Sequence, residues 1–235
     1  MSPLQTAKAC ICLSDSYFAR DMQLLQTKPI SNYKHPSVQN NLKRWVDIVG
    51  ALTGLMILAV FWVPIAITIK QDSPGPLLYS QIRCGLNGET FRIWKFRSMV
   101  IDADALKAQV KNEASGHIFK NKNDPRVTRV GKFLRRTSLD ELPQFWNVLK
   151  GEMSLVGTRP PTPDEVAQYT PYHWRRLRVK PGMTGEWQVN GRSSVDNFDA
   201  IVRMDLYYQR RWSVGYDLHL IVKTIQVVLN KQGAY

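Results

Sequence analysis

Between Val46 and Ile69 the chain reads VDIVGALTGLMILAVFWVPIAITI, an apolar run whose one charge is Asp47. At about 1.5 Å per residue the run is roughly as long as a bilayer core is thick, so a membrane segment is predicted. A cleavable signal would begin near residue 1 with a short basic stretch, whereas about 45 mostly polar residues come first here. The segment is therefore expected to be retained as an anchor. Its topology stays open on the residues alone. Lys43 and Arg44 precede it, Lys70 and Arg83 follow it, and basic flanks on both sides disfavour exporting either one. Pro64, about two thirds of the way along, lacks an N–H and crowds the preceding turn. A bent segment that enters and leaves by one face fits both facts, and a single-pass helix with a tolerated proline fits equally.

Beyond the anchor the pattern is that of a mixed α and β domain without internal repeats. PLLYSQIR and TFRIWKFRSM alternate apolar and polar residues around CGLNGE, which predicts two strands and a tight turn. Helical periodicity starts at about Asp102, residues 112–126 read as a polar loop, and VTRVGKFLRR returns to helical spacing. After Trp212, Leu218, Ile221, Val222, Ile225 and Leu229 share one helix face. That face is expected to be core, with a membrane surface as the alternative.

Charge narrows the partners. The 235 residues carry a formal net charge of +13, which points to anions: nucleic acid, anionic lipid or a phosphorylated substrate. Cys10, Cys12 and Cys84 are odd in number and lack histidines at metal-ligand spacing, arguing against a disulfide framework or a zinc site.

One stretch stands out chemically. In TSLDELPQFWN, residues 137–147, Ser138 and Glu141 are spaced as a capping box, so Asp140 and Glu141 would open a helix with apolar positions Leu142, Phe145, Trp146 and Leu149. Pro143 prefers a first helical position, so the helix could instead begin there. Alone, such a motif is a cap beside a surface charge. Here Arg126, Arg129, Lys132, Arg135 and Arg136 lie upstream and Arg159 lies in a Gly/Pro turn downstream. Two carboxylates among arginines suit a phosphoryl group bound with a divalent cation, one attacking phosphorus and the other holding the metal. Other motifs are weaker. Asp102-x-Asp104 is better read as helix-start charge, His117 has no partner in the sequence, and no P-loop or Rossmann glycine pattern occurs.

QIRCGLNGETFRIWKFRSM, DPRVTRVGKFLRRTSLDELPQFWNVLKGEMSLVGTRP, KPGMTGEWQVNGR and DLYYQRRWSVGYDLHLIVKT resemble successive blocks of the bacterial sugar transferase family, the monotopic phosphoglycosyl transferases. The resemblance runs from about Leu42 to the C-terminus. It implies an α+β, mostly helical fold: a small membrane-associated catalytic domain with a re-entrant helix hairpin and surface amphipathic helices. The expected division is a poorly ordered tail at 1–41, an anchor at 42–70 broken at Pro64, and a catalytic domain at 71–235.

The implied reaction passes a sugar 1-phosphate, a hexose such as glucose or galactose, from a UDP-sugar to undecaprenyl phosphate and releases UMP. By motif, Asp140 is the nucleophile and Glu141 the Mg²⁺ ligand, Arg135 and Arg159 flank the phosphates, and Lys180 and Arg192 bound the block associated with the nucleotide sugar. The expected place is the cytoplasmic face of a bacterial inner membrane, with bilayer lipid rather than nucleic acid as partner and homodimerisation left open. In this setting HWRRLRVK, 173–180, and QRR, 209–211, could hold the domain against anionic lipid. The rival is a membrane-tethered basic adaptor that binds anionic lipid or nucleic acid without catalysis.

Overall fold

A computed structural model describes residues 34–113, 119, 121, 123–190, 195 and 197–230. Cys10, Cys12, His117, Arg192 and most of the expected N-terminal tail lie outside the described residues.

A short helix, α1 (Pro36–Gln39), leads into α2 (Asn41–Asp72), 32 residues with Pro64 inside it. Asn40 caps α2 by accepting from Lys43 N at 2.8 Å. It is long and apolar enough to cross a membrane. Its inward positions are Lys43, Asp47, Ala51 and Gly54, then Leu58, Trp62, Ile65 and Ile69, in steps of four, four and three residues. That spacing keeps one face on the domain along the whole helix. Trp45, Val49, Met56, Val60, Val63 and Ile67 look outward and are exposed.

Both ends of α2 are fastened. Near its start, Lys43 Nζ meets Asp217 Oδ2 at 2.6 Å and Val156 O at 3.1 Å, Arg44 donates to Val148 O and Leu149 O, and Asp47 Oδ1 accepts from Ser154 Oγ and Leu155 N at 2.9 Å each. At its end, Asp72 Oδ2 accepts from Val130 N at 3.0 Å, and Arg97 gathers Ser73, Pro74 and Pro76 around the exit.

The predicted hairpin is present: β1 (Leu78–Cys84) and β2 (Thr90–Phe96) pair antiparallel, with Leu78 opposite Phe96. Asn87 and Gly88 in the turn take φ of 55° and 85°, the left-handed region that Asn and Gly tolerate best. The helix expected from Asp102 is only a 3₁₀ turn, Ala105–Gln109, because Asp102 itself has φ 65° and cannot continue a right-handed helix. Next come α3 (Arg129–Thr137), a 3₁₀ turn (Leu139–Gln144), α4 (Phe145–Lys150), β3 (Ser154–Val156), α5 (Pro163–Ala167), α6 (Pro171–Trp174) and a 3₁₀ turn (Arg175–Arg178). β4 (Gly182–Thr184) pairs parallel with β3, followed by α7 (Glu186–Asn190), α8 (Phe198–Arg211) and α9 (Val214–Leu229).

The face of α9 expected to be core is turned out. Leu218, Val222, Ile225 and Leu229 are exposed, and of the five apolar positions only Ile221 packs inward. The opposing side of α9 is claimed by polar anchors. Asp217 accepts from Lys43, Tyr208 OH and Trp212 Nε1, Thr224 Oγ1 bonds Thr184 Oγ1 at 2.6 Å, and Leu220 is buried among them.

Candidate active site

The 3₁₀ turn carrying Asp140 and Glu141 is placed by the helix before it. Thr128 caps α3, accepting from Gly131 N at 2.9 Å, and Gly131 lies so close to Ser98 that a Cβ would fall 2.0 Å from Ser98 O. Ser98 O accepts from Thr128 N at 3.1 Å and Ser98 Oγ from Arg135 Nε at 2.9 Å, so one residue sets both ends of α3 against the end of β2. α3 stops at Ser138, at φ 56° and ψ 17°.

The expected capping box does not form. An N-cap residue has extended backbone, whereas Ser138 is the left-handed C-cap of α3 and makes no side-chain cap bond to the turn that follows. Glu141 instead points to the hairpin, where Oε1 meets Lys95 Nζ at 2.6 Å. The α-helix begins only at Phe145, and Trp146, expected on its apolar face, is exposed while Val148 is buried.

Asp140 is 6% exposed, so it is not a surface charge. The turn that carries it leans on the anchor helix: Leu139 packs into the cluster of Ile65, Ile69, Phe96 and Leu134, and the Phe145 ring crosses α2 where Gly54 leaves room. The dyad thus sits against the long apolar helix.

Arg135 is brought to the dyad. Burial lowers its pKa from the ordinary value, while Asp140, Asp124 and Glu141 pull it back. Arg159 has Nη1 3.6 Å from Glu165 Oε1. Arg83, at the end of β1, comes to the same turn: its Nη1 donates to Pro160 O at 2.9 Å. Burial and then the neighbouring Arg159 charge push the Arg83 guanidinium down to about 10, against the pull of Glu165, Tyr79 and Glu141. Its Nε is buried without a hydrogen-bond partner, so Arg83 faces Arg159 with donor capacity unspent.

Of the other upstream basic residues, Arg126 is turned inward, holding Asp124 through Nε at 2.9 Å and Nη2 at 2.6 Å, and Arg129, Lys132 and Arg136 are exposed. Lys180 lies among the charged groups at the start of α2. Burial and then Arg44 lower its pKa, and its other charged neighbours are Asp47 and Lys43. Pro64 is inside α2, next to Ile65. Lys95, Arg83 and Ser98 were not singled out from sequence. Arg83 and Lys95 occupy polar positions of alternating strands, which read as solvent-facing unless the strand end is known to meet another loop.

Among the described residues no group of three or more His, Cys, Asp or Glu gathers as an all-protein metal cage. Mg²⁺ commonly takes one or two carboxylates and completes its octahedron with water and substrate phosphate. An adjacent Asp140 and Glu141 fit an ion that arrives with a diphosphate.

Comparison with known proteins gives this arrangement a context. Residues 38–231 match the family described as bacterial sugar transferase. The galactosyl transferase CpsE of Streptococcus agalactiae serotype III is 51% identical over 197 residues, covering 82% of this chain and 43% of the relative. The undecaprenyl-phosphate galactose phosphotransferase of Salmonella typhimurium is 42% identical over 224 residues, 93% of this chain and 46% of the relative. The UDP-glucose:undecaprenyl-phosphate glucose-1-phosphate transferase of Escherichia coli K12 is 40% identical over 223 residues, 92% and 46%. The chain spans a little under half the length of each. With the matched region containing the hairpin, the dyad and both arginine flanks, the chain belongs to the bacterial sugar transferase family.

Proposed function

We propose that this protein transfers a hexose 1-phosphate from a UDP-hexose to undecaprenyl phosphate, releasing UMP, as an early membrane step of polysaccharide assembly. The observation that carries the reading is a buried Asp140 set beside Glu141, with Arg135 and Arg83 in electrostatic reach of the pair, Arg159 beside Arg83, and the turn resting on the apolar helix α2. A water-soluble donor and a lipid acceptor can take turns at such a place.

In the first half, an Asp140 carboxylate oxygen attacks the phosphorus that bears the sugar. The bond from that phosphorus to the UMP oxygen breaks, and UMP leaves with the electron pair. In the second half, a phosphate oxygen of the lipid attacks the same phosphorus, and the bond to Asp140 breaks to restore the carboxylate. Arg83, Arg135 and Arg159 offset the repulsion between a carboxylate and an anionic diphosphate, and Lys95 holds Glu141 in place. Glu141 would hold Mg²⁺, which when bound neutralises diphosphate charge.

The domain would work on the cytoplasmic face of the inner membrane. What supports an anchor that re-enters by the side it left is that both ends of α2 are fastened to one domain; a single crossing would put them on opposite faces. Pro64 would then mark the bend, and the outward stripe of α9 would lie at headgroup level. Galactose and glucose in the relatives' names support a donor of the UDP-hexose class.

The test uses purified protein with undecaprenyl phosphate and a panel of UDP-sugars, read as UMP release. Asp140→Asn should stay folded and membrane-bound but release no UMP, and labelled donor without lipid should leave phosphosugar on Asp140 in the unaltered protein. Normal turnover by Asp140→Asn would remove Asp140 as nucleophile.

A further inference from the structure

Glu165, in the short helix α5 beyond the Arg159-Pro-Pro turn, uses its two carboxylate oxygens differently. Oε2 accepts from Thr162 N at 2.9 Å while Thr162 Oγ1 accepts from Glu165 N at 3.2 Å, a reciprocal cap that opens α5. Oε1 turns to Arg159, whose Nη1 stands 3.6 Å away. The Glu165 side chain is only 11% exposed, against 31% for Arg159.

The backbone around this pair is fixed on every side. Val166, the next residue, is fully buried in one cluster with Cys84. Cys84 N donates to Pro161 O at 2.8 Å and Arg83 Nη1 to Pro160 O at 2.9 Å, so the end of β1 is stitched to the turn that carries Arg159. Arg176 Nη2 donates to Arg159 O at 3.4 Å. Only the Arg159 side chain is left to be set.

Two guanidinium groups at one turn repel each other. The Arg83 cation is disfavoured by burial and then by Arg159, and the strongest pull that restores it is Glu165. Ion pairs near a surface contribute little when two long side chains must be ordered to make them. Here one carboxylate oxygen is already tied to backbone, so most of the ordering of Glu165 is complete before Arg159 meets it.

We propose that Glu165 is a positioning residue for donor binding, a role that rests on the transferase activity proposed above: it aims the Arg159 guanidinium beside Arg83, so that the two arginines present a preset clamp to the diphosphate of the UDP-hexose. Glu165 acts through Arg159. Without Arg159 the carboxylate has nothing to aim, and its charge only repels a diphosphate.

The test is a double-mutant cycle on the Kd of UDP, measured by isothermal titration calorimetry with the full chain in neutral detergent and Mg²⁺. Glu165→Gln keeps an oxygen for Thr162 N and removes the charge. With Arg159 present it should weaken UDP binding at least about fivefold; in Arg159→Met it should leave the Kd unchanged or tighten it. Thr162→Ala removes one bond of the cap but keeps the carboxylate, so it should lower the thermal midpoint and still bind UDP within about twofold of the unaltered protein. The role is overturned by absence of UDP binding in the unaltered protein, by no loss from Glu165→Gln, by an equal loss in both backgrounds, or by an equal loss in Thr162→Ala. UMP release from UDP-hexoses, followed in parallel, separates the two readings. The expected cycle without UMP release by the unaltered protein refutes the transferase and sustains the clamp, whereas normal release with a failed cycle refutes the positioning role alone.

Discussion

Replacing Gly131 with alanine tests how the dyad is positioned. The added Cβ would lie 2.0 Å from Ser98 O, 2.7 Å from Ser98 C and 2.9 Å from Ser98 Cα, where atoms essentially never come within 3.0 Å. All three are backbone atoms, so no rotamer change clears them, and α3 must retreat by about 1 Å or the end of β2 must give. Alanine is favoured over glycine inside a helix by about 0.8–1.0 kcal/mol, whereas overpacking costs about 1–3 kcal/mol and a strained hydrogen bond from Thr128 N to Ser98 O costs about 1 kcal/mol more. The balance is a destabilisation of about 1–3 kcal/mol. The effect on turnover is larger, since a displacement of about 1 Å at a reacting group can cost about 100-fold, and Arg135 and the dyad turn both follow α3. The assay pairs urea unfolding midpoints with UMP release at saturating donor and acceptor. Gly215→Ala, where the nearest atom is Ser213 Oγ at 3.9 Å, is the internal control and should be neutral or stabilising by up to about 1 kcal/mol. Full turnover and an unchanged midpoint in Gly131→Ala would show that the contact with Ser98 does not set the dyad.

Three further outcomes are expected. Arg176→Met should destabilise the protein by about 3–5 kcal/mol in thermal unfolding, because it strands Asp205; Arg176 and Asp205 have side chains 1% and 2% exposed, 2.7 Å apart. Arg176→Met/Asp205→Leu should recover most of that loss. Arg83→Met should raise the KM for the UDP-sugar with a smaller change in kcat, and Arg83→Lys should rescue only partly, since a compact ammonium on a flexible stem lacks the fixed planar fork that lets Arg83 hold Pro160 O through one nitrogen while presenting the others. The Arg126 hydrogen bonds hold the Asp124 carboxyl below its ordinary value. A depressed folded-state pKa gives stability that is complete above the unfolded value of about 3.9 and lost as pH falls through the lower folded one. Asp124→Asn should therefore flatten the acid limb of a plot of urea midpoint against pH, and an unchanged limb would show the pair contributes nothing there.

The sequence was legible where local pattern and tertiary setting agree. The hairpin, with Asn87 and Gly88 at its turn, follows from alternation and turn chemistry, and α3 follows from helical spacing. Legibility failed where a residue answers to something distant. Ser138 looks like an N-cap but ends the helix before it. The apolar stripe of α9 looks like core, yet Asp217 and Thr224 are drawn inward by Lys43 and Thr184, and the stripe turns out with them. Lys43 and Arg44 read as flanking charges that orient a membrane segment. In the fold Lys43 is buried against Asp217 and Arg44 caps the carbonyl end of α4, so neither is a free surface charge. Within the site, the Asp-Glu pair stood out by its basic neighbourhood and Arg135 by the family resemblance, while Arg83 and Lys95 needed the strand register that brings them to the turn.

The Lys43–Asp217 pair joins residues 174 positions apart. During synthesis the apolar helix emerges long before its counter-ion is made, so the lysine must wait at the water interface until α9 is complete. A chain interrupted before Asp217 would have the partners of Arg44, Asp47 and Asp72 already in place but would leave Lys43 without its buried counter-ion, so this clasp of the anchor is the last to be made.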